Sequence, residues 1–194
     1  MLVSSDPVRS PDGDARVIEL SWDEPERFAV IFARYFGKIH RYLARRVGVR
    51  AADDLAGEVF LAAFAQRKRY DITRGTAGPW LYGIATNLVG THQRQERRLY
   101  DALARSGAGL TWQDDENRVA DRLTASAARP ALAAAIARLS RGDRDVLLLV
   151  VLADLGYQEV AEALGIPYGT VCSRLNRARK QLRESLGGVN PAGN

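Results

Sequence analysis

Residues 157 to 182 read YQEVAEALGIPYGTVCSRLNRARKQL, and no other stretch constrains the fold as tightly. A short helical pattern and a longer one meet at Gly165, so the chain must turn sharply there rather than continue as one rod. Val160, Ala161 and Leu164 on the first helix and Ile166, Val171 and Leu175 on the second can close a small shared core. Ala161 has to be small where the two helices cross. With those side chains inward, Tyr168, Gly169, Cys172, Ser173, Asn176, Arg177 and Lys180 turn outward. This is the spacing of a helix-turn-helix. The early outward positions suit base edges in a major groove, and Arg174, Arg177, Arg179, Lys180 and Arg183 suit phosphates. A basic amphipathic hairpin packed on another protein is the competing interpretation.

The rest of the chain is also helical in pattern, with no strand-like alternation of any length, so the expected fold is all-α. Phe28, Ile31, Phe32, Tyr35, Ile39, Tyr42, Leu43 and Val47 mark one helix face ending at Gly48, which leaves Arg41, Arg45, Arg46 and Arg50 mostly towards solvent. A second helix is expected to open near Asp53, capped by its carboxylate, and to run through Leu55, Val59, Phe60 and Phe64 towards Arg69. DITRGTAG, residues 71 to 78, reads as a loop, and Pro79 as the first turn of a third helix ending in HQRQERR. Residues 99 to 130, with the acidic run Asp114, Asp115 and Glu116, read as a flexible linker. Helix formers return from Ala131, and Ser140 with Asp143 offers a cap for the apolar helix DVLLLVVLADL. The expected organisation is an acidic N-terminal extension (1–26), a helical domain (27–98), the linker (99–130), a helix-turn-helix domain (131–186) and a tail (187–194).

Charge sharpens this division. Residues 1–26 hold seven acids and two bases, residues 27–98 fourteen bases and five acids, and residues 99–131 four bases and five acids. Two basic units on either side of a neutral stretch suit a polyanion gripped at two places. A single cysteine excludes an internal disulfide, and with only His40 and His92 beside it no metal-ligand cluster and no cofactor site is expected. The longest apolar run, Val146 to Ala153, is too short to span a bilayer, and the N-terminus lacks an apolar signal core, so a cytoplasmic protein is expected.

At this point the residues carry a family resemblance. The stretch 157–183 resembles region 4 of the extracytoplasmic-function (ECF) sigma factors of the sigma-70 family, with Cys172 where arginine is common. ADDLAGEVFLAAFAQRKRYD, residues 52–71, resembles region 2.2 through Asp53, Asp54, Leu55, Glu58 and Phe60, with Gly57 in place of the usual glutamine. GPWLYGIATNLVGTHQRQERR, residues 78–98, is similar to regions 2.3 and 2.4 through Trp80, Leu81, Ile84, Ala85, Asn87, Arg94, Arg97 and Arg98, with Thr86 and Thr91 replacing arginine and aspartate.

The resemblance implies a promoter-specificity subunit without enzymatic activity of its own. Asp53, Asp54, Leu55, Glu58 and Phe60 would dock on the β′ clamp helices of core RNA polymerase, with the β flap as a further contact. Tyr168, Thr170, Cys172, Ser173, Arg174, Asn176, Arg177 and Lys180 would read the minus-thirty-five element. An anti-sigma protein is a further partner class it implies. Opening DNA without ATP requires aromatic faces, a pocket for an extruded base and cations along the strand. The loop 71–78 suits the pocket, Tyr70, Trp80 and Tyr82 are candidate platforms, and Arg69, Arg74, Asn87, Arg94, Arg97 and Arg98 complete the minus-ten set. Trp80 also sits at an apolar-periodic position that suits a core. Two other function classes compete: a two-domain regulator that binds duplex DNA alone, and an enzyme using Asp53, Asp54 and Glu58 as metal ligands, for which no completing cluster exists in the sequence.

Overall fold

The computed structural model describes residues 13–105 and 128–186, with side chains to residue 99 and again from residue 130. Among these residues there is no strand. The helices are α1 (Asp14–Leu20), α2 (Ala29–Val47), α3 (Val49–Gln66), α4 (Gly78–Arg105), α5 (Ala128–Arg138), α6 (Arg141–Leu152), α7 (Tyr157–Leu164) and α8 (Tyr168–Ser185).

Glycines set the corners. Gly48 has φ 93° and ψ 159°, a conformation open to glycine, so α3 begins at the very next residue instead of at Asp53. Asp53 therefore lies one turn inside α3, and its carboxylate meets His40 Nε2 at 2.7 Å rather than capping the helix. Gly165 lies in the left-handed region at φ 62°. Its N–H donates to Glu162 O at 3.3 Å and the next, Ile166, donates to Ala161 O at 3.1 Å, which closes α7 and launches α8. Val160, Ala161, Val171 and Leu175 are buried and Leu164 and Ile166 half-buried, the small core that the spacing predicts. Ser140 caps α6 as expected, its Oγ accepting from Asp143 N–H at 3.2 Å.

The domain limits shift at both ends of the first unit. Residues 99–105, expected as the start of a linker, continue α4. The described part of the acidic extension is no separate tail either: Val17 and Ile18 of α1 are buried in the same core as α2 and α3, a short apolar pair that the acid count concealed. Residues 128–130, expected in the linker, open α5, and residues 1–12, 106–127 and 187–194 lie outside the described residues.

The two expected helical units also pack on each other. Helix α4 lies against α7 so closely that a Cβ on Gly83 would sit 2.3 Å from the carbonyl oxygen of Ala163. Arg46, expected to face solvent, is buried at this junction. Its guanidinium donates to Asp145 Oδ1 at 2.7 Å and to Tyr42 Oη at 2.8 Å, while Tyr42 Oη meets Thr86 Oγ1 at 2.8 Å. Arg141 Nε adds a longer contact of 3.6 Å to Asp145. Burial raises the Tyr42 hydroxyl above its ordinary pKa, keeping it protonated in this network. Thr86 stands where the resembling family has arginine, and its small hydroxyl fits the buried chain of hydrogen bonds.

Candidate nucleic-acid interface

The outer face of α8 takes shape as the sequence predicts, with reassigned arginines. Tyr168, Gly169, Ser173 and Asn176 are exposed, with Thr170 and Cys172 half-buried beside them; Lys180 continues the face one turn on. The neighbouring Cys172 raises the pKa of the Tyr168 hydroxyl. Ser173 Oγ donates back to Thr170 O at 3.0 Å, within its own helix.

Arg177 braces the domain, and Arg174 lies close beside it. The Arg174 guanidinium lies over the first turn of α6, where a Cβ on Gly142 would come within 3.0 Å of it. Arg177 donates to Asp143 Oδ1 at 2.9 Å, tying α8 to α6. Burial alone would raise the Asp143 carboxyl, but hydrogen bonds from Arg177 and Ser140 bring it below its usual range. Arg177→Ala is therefore expected to lower this domain's stability only slightly, since the arginine side of the pair is exposed to solvent. Denaturant titration of the variant checks this. The salt slope of its duplex binding should change less than that of Lys180→Ala, whose ammonium has only the 3.9 Å contact to Glu184 among the described salt bridges.

In the first domain, the 71–78 loop is a built turn. Asp71 Oδ1 accepts from Thr73 Oγ1 at 2.6 Å and Thr73 N–H at 3.1 Å, and these bonds hold the Asp71 carboxyl below its usual range. Arg74 reaches Asp71 at 3.4 Å, and its carbonyl accepts from the Tyr70 hydroxyl at 3.4 Å. Tyr70 and Tyr82 are packed as core rings rather than open platforms: Tyr70 lies 4.9 Å from Trp80, and Tyr82 sits edge-on to Tyr42 at 5.3 Å. Trp80 is half-buried, which fits its apolar-periodic position. Arg69 precedes the loop and is exposed, and Asn87, Arg94, Arg97 and Arg98 are exposed along α4. Lys38, Arg41 and Arg45 of α2 were absent from the candidate set. They line a cleft of about 510 Å3 with Thr76, Pro79 and Tyr82, and the α6–α7 turn Leu152–Leu155 forms its other wall.

The third surface is the outer side of α3. Asp53, Asp54 and Glu58 are exposed, whereas Leu55 and Phe60 point inward at 5% exposure each. Leu55 is thus a core residue, and Phe60 forms part of the wall of a groove of about 440 Å3 shared with Phe28, Phe32, Gly57, Leu61 and Phe64. Leu61 is 72% exposed and Phe32 43%. Neither was a candidate, although Leu61 follows Asp54 by seven residues and Glu58 by three, the spacing of one helix face. Gly57 leaves open space where a side chain would reach over the groove. An apolar groove with an acidic rim fits a protein partner better than a nucleic acid.

The family model for sigma-70 region 2 matches residues 31–99, and that for sigma-70 region 4 matches residues 129–182. The chain is 32% identical over 178 residues to the ECF RNA polymerase sigma factor SigW of Bacillus subtilis, covering 88% of this chain and 95% of that protein. It is 33% identical over 145 residues to the ECF RNA polymerase sigma factor SigC of Mycobacterium tuberculosis, covering 74% and 75% of the two chains. Its fold is similar to that of CnrH, solved in complex with the cytosolic domain of CnrY, with a TM-score of 0.64 at 22% identity over 92% of this chain and 100% of that one. The sigma factor RpoE solved with the anti-sigma factor NepR from Bartonella quintana gives 0.61 at 19% identity over 84% and 98%. Two sigma-70 regions in the family's order, and a relative matched over nearly its whole length, make this chain a member of the ECF sigma factors of the sigma-70 family.

Proposed function

We propose that this protein directs core RNA polymerase to particular promoters and helps to open them, each step using one of the three surfaces. The groove and acidic rim of α3 dock on the β′ clamp helices. The outer face of α8 enters the major groove of a minus-thirty-five element, with Tyr168, Cys172, Ser173 and Asn176 at base edges and Lys180 and Arg183 along phosphates. The loop 71–78, with Trp80 and the exposed cations of α4, takes up a strand of the opened minus-ten element. Nucleotide addition belongs to the polymerase, so the protein supplies specificity and strand capture but no catalysis, and it works in the cytoplasm. An anti-sigma protein is a partner of the same reading.

The observation that carries this reading is the outer side of α3. A regulator that binds duplex DNA alone has no need of an exposed Leu61 and Phe32 beside Asp54 and Glu58. The test is a titration of core polymerase against the labelled protein. Leu61→Arg and Asp54→Arg should each weaken binding by about tenfold or more, as expected for a central apolar anchor and its charged rim. Wild-type affinity in both variants would refute the docking face.

A further inference from the structure

The segment before region 2 fastens both ends of the 71–78 loop. Asp14, the first residue of α1, is buried. Its Oδ1 accepts from Arg34 Nη1 at 2.7 Å, and its Oδ2 accepts from the Ala77 N–H at 2.9 Å and from the Tyr35 hydroxyl. One carboxylate thus joins α1, α2 and the residue that ends the loop. Burial, with the bond to Asp14 next, pushes the Tyr35 hydroxyl well above its usual pKa, so it stays a donor.

The loop's entrance is held by the other end of the same segment. Trp22 Nε1 donates to the Arg67 carbonyl at 3.3 Å, and Arg67 Nε donates back to the Ser21 carbonyl at 3.0 Å. The Arg67 guanidinium is stacked 4.0 Å from the Phe64 ring. Residues 14–22, which lie outside the region 2 match at 31–99, therefore hold Ala77 at the loop's exit and the turn at Arg67, four residues before the loop opens.

We infer that Asp14 is a positioning residue for promoter opening, setting the strand-capture loop through the Ala77 backbone. The inference rests on the reading of the loop given above. A residue that presets a pocket lowers the ordering cost of seating the extruded base, and its loss is felt where strand capture drives the reaction. Docking on polymerase uses Asp54, Glu58 and Leu61 of α3, which are not among the hydrogen-bond partners of Asp14, and should not change.

The experiment uses the full chain with core polymerase and reads permanganate reactivity of minus-ten thymines on a duplex promoter, and run-off transcription from the same promoter with a pre-opened mismatch bubble. Asp14→Ala and the shape-preserving Asp14→Asn are compared with a loop variant carrying Thr73→Ala, Arg74→Ala and Thr76→Ala. Loss of the charged acceptor is expected to lower opening of the duplex about tenfold in Asp14→Ala, and less in Asp14→Asn. Polymerase affinity should stay within about twofold, and the bubble template should restore most of the transcript. Unchanged opening in both Asp14 variants overturns the proposal, as does a parallel fall in opening and polymerase affinity, which would mark a merely structural role. If the loop variant opens the duplex normally, the reading of the loop fails and the proposal falls with it; if only the loop variant is impaired, the loop reading stands and Asp14 is excluded.

Discussion

Gly83→Ala is expected to drive α4 and α7 apart. The added Cβ would lie 2.3 Å from the Ala163 carbonyl oxygen and 3.2 Å from its carbon, and backbone atoms have no rotamer by which to yield. Overpacking of this kind costs about 1–3 kcal/mol. Within α4 itself the change is favourable, because alanine exceeds glycine in helix propensity by about 1 kcal/mol. The loss should therefore appear between the units and not inside them. Hydrogen exchange is expected to speed up along α7 and at the facing turns of α4, while the core of α2 and α3 keeps its protection. Unchanged exchange at both surfaces would mean that the contact is not held in solution.

Asp145→Ala attacks the same junction through charge. The Arg46 and Asp145 side chains are 4% and 9% exposed, and their ion pair bridges the two units across 99 positions of sequence. Removing one partner of a buried pair typically costs about 3–5 kcal/mol, because the other charge stays dehydrated. Here Arg46 has a way to regain water, namely separation of the units, so the expected readout is a larger radius of gyration in small-angle scattering more than unfolding of either unit. Replacing both residues together, Arg46→Leu with Asp145→Leu, should recover much of the compact form, since an apolar pair carries no stranded charge. Equal expansion in the single and double variants would show that the pair contributes no coupling.

Local rules made part of this fold legible in the sequence, and long-range contacts hid the rest. The turn at Gly165, the Ser140 cap and the all-helical order follow from local rules, because a left-handed glycine or a capping hydroxyl acts within a few residues of itself. The surface of α8 was equally legible, since its core positions fix what remains outside. Arg46 was misjudged because its position on α2 looks solvent-facing until a carboxylate arrives from a distant helix. Asp14 was hidden for a similar reason: its partners Arg34, Tyr35 and Ala77 are 20 to 63 residues away. Arg177, a candidate DNA contact, also engages Asp143, and periodicity alone did not reveal that second partner on a distant helix. Leu55 and Phe60 lay within a motif whose acidic members face outward while its apolar members fill the core.

Run-off transcription tests the account most directly: core polymerase on a promoter selected from genomic DNA, with and without this protein, and with Leu61→Arg in its place. The account predicts specific initiation that requires the protein and is lost in the variant, while the variant's binding to duplex DNA is retained. Tight duplex binding by the protein with no polymerase-dependent initiation would contradict it.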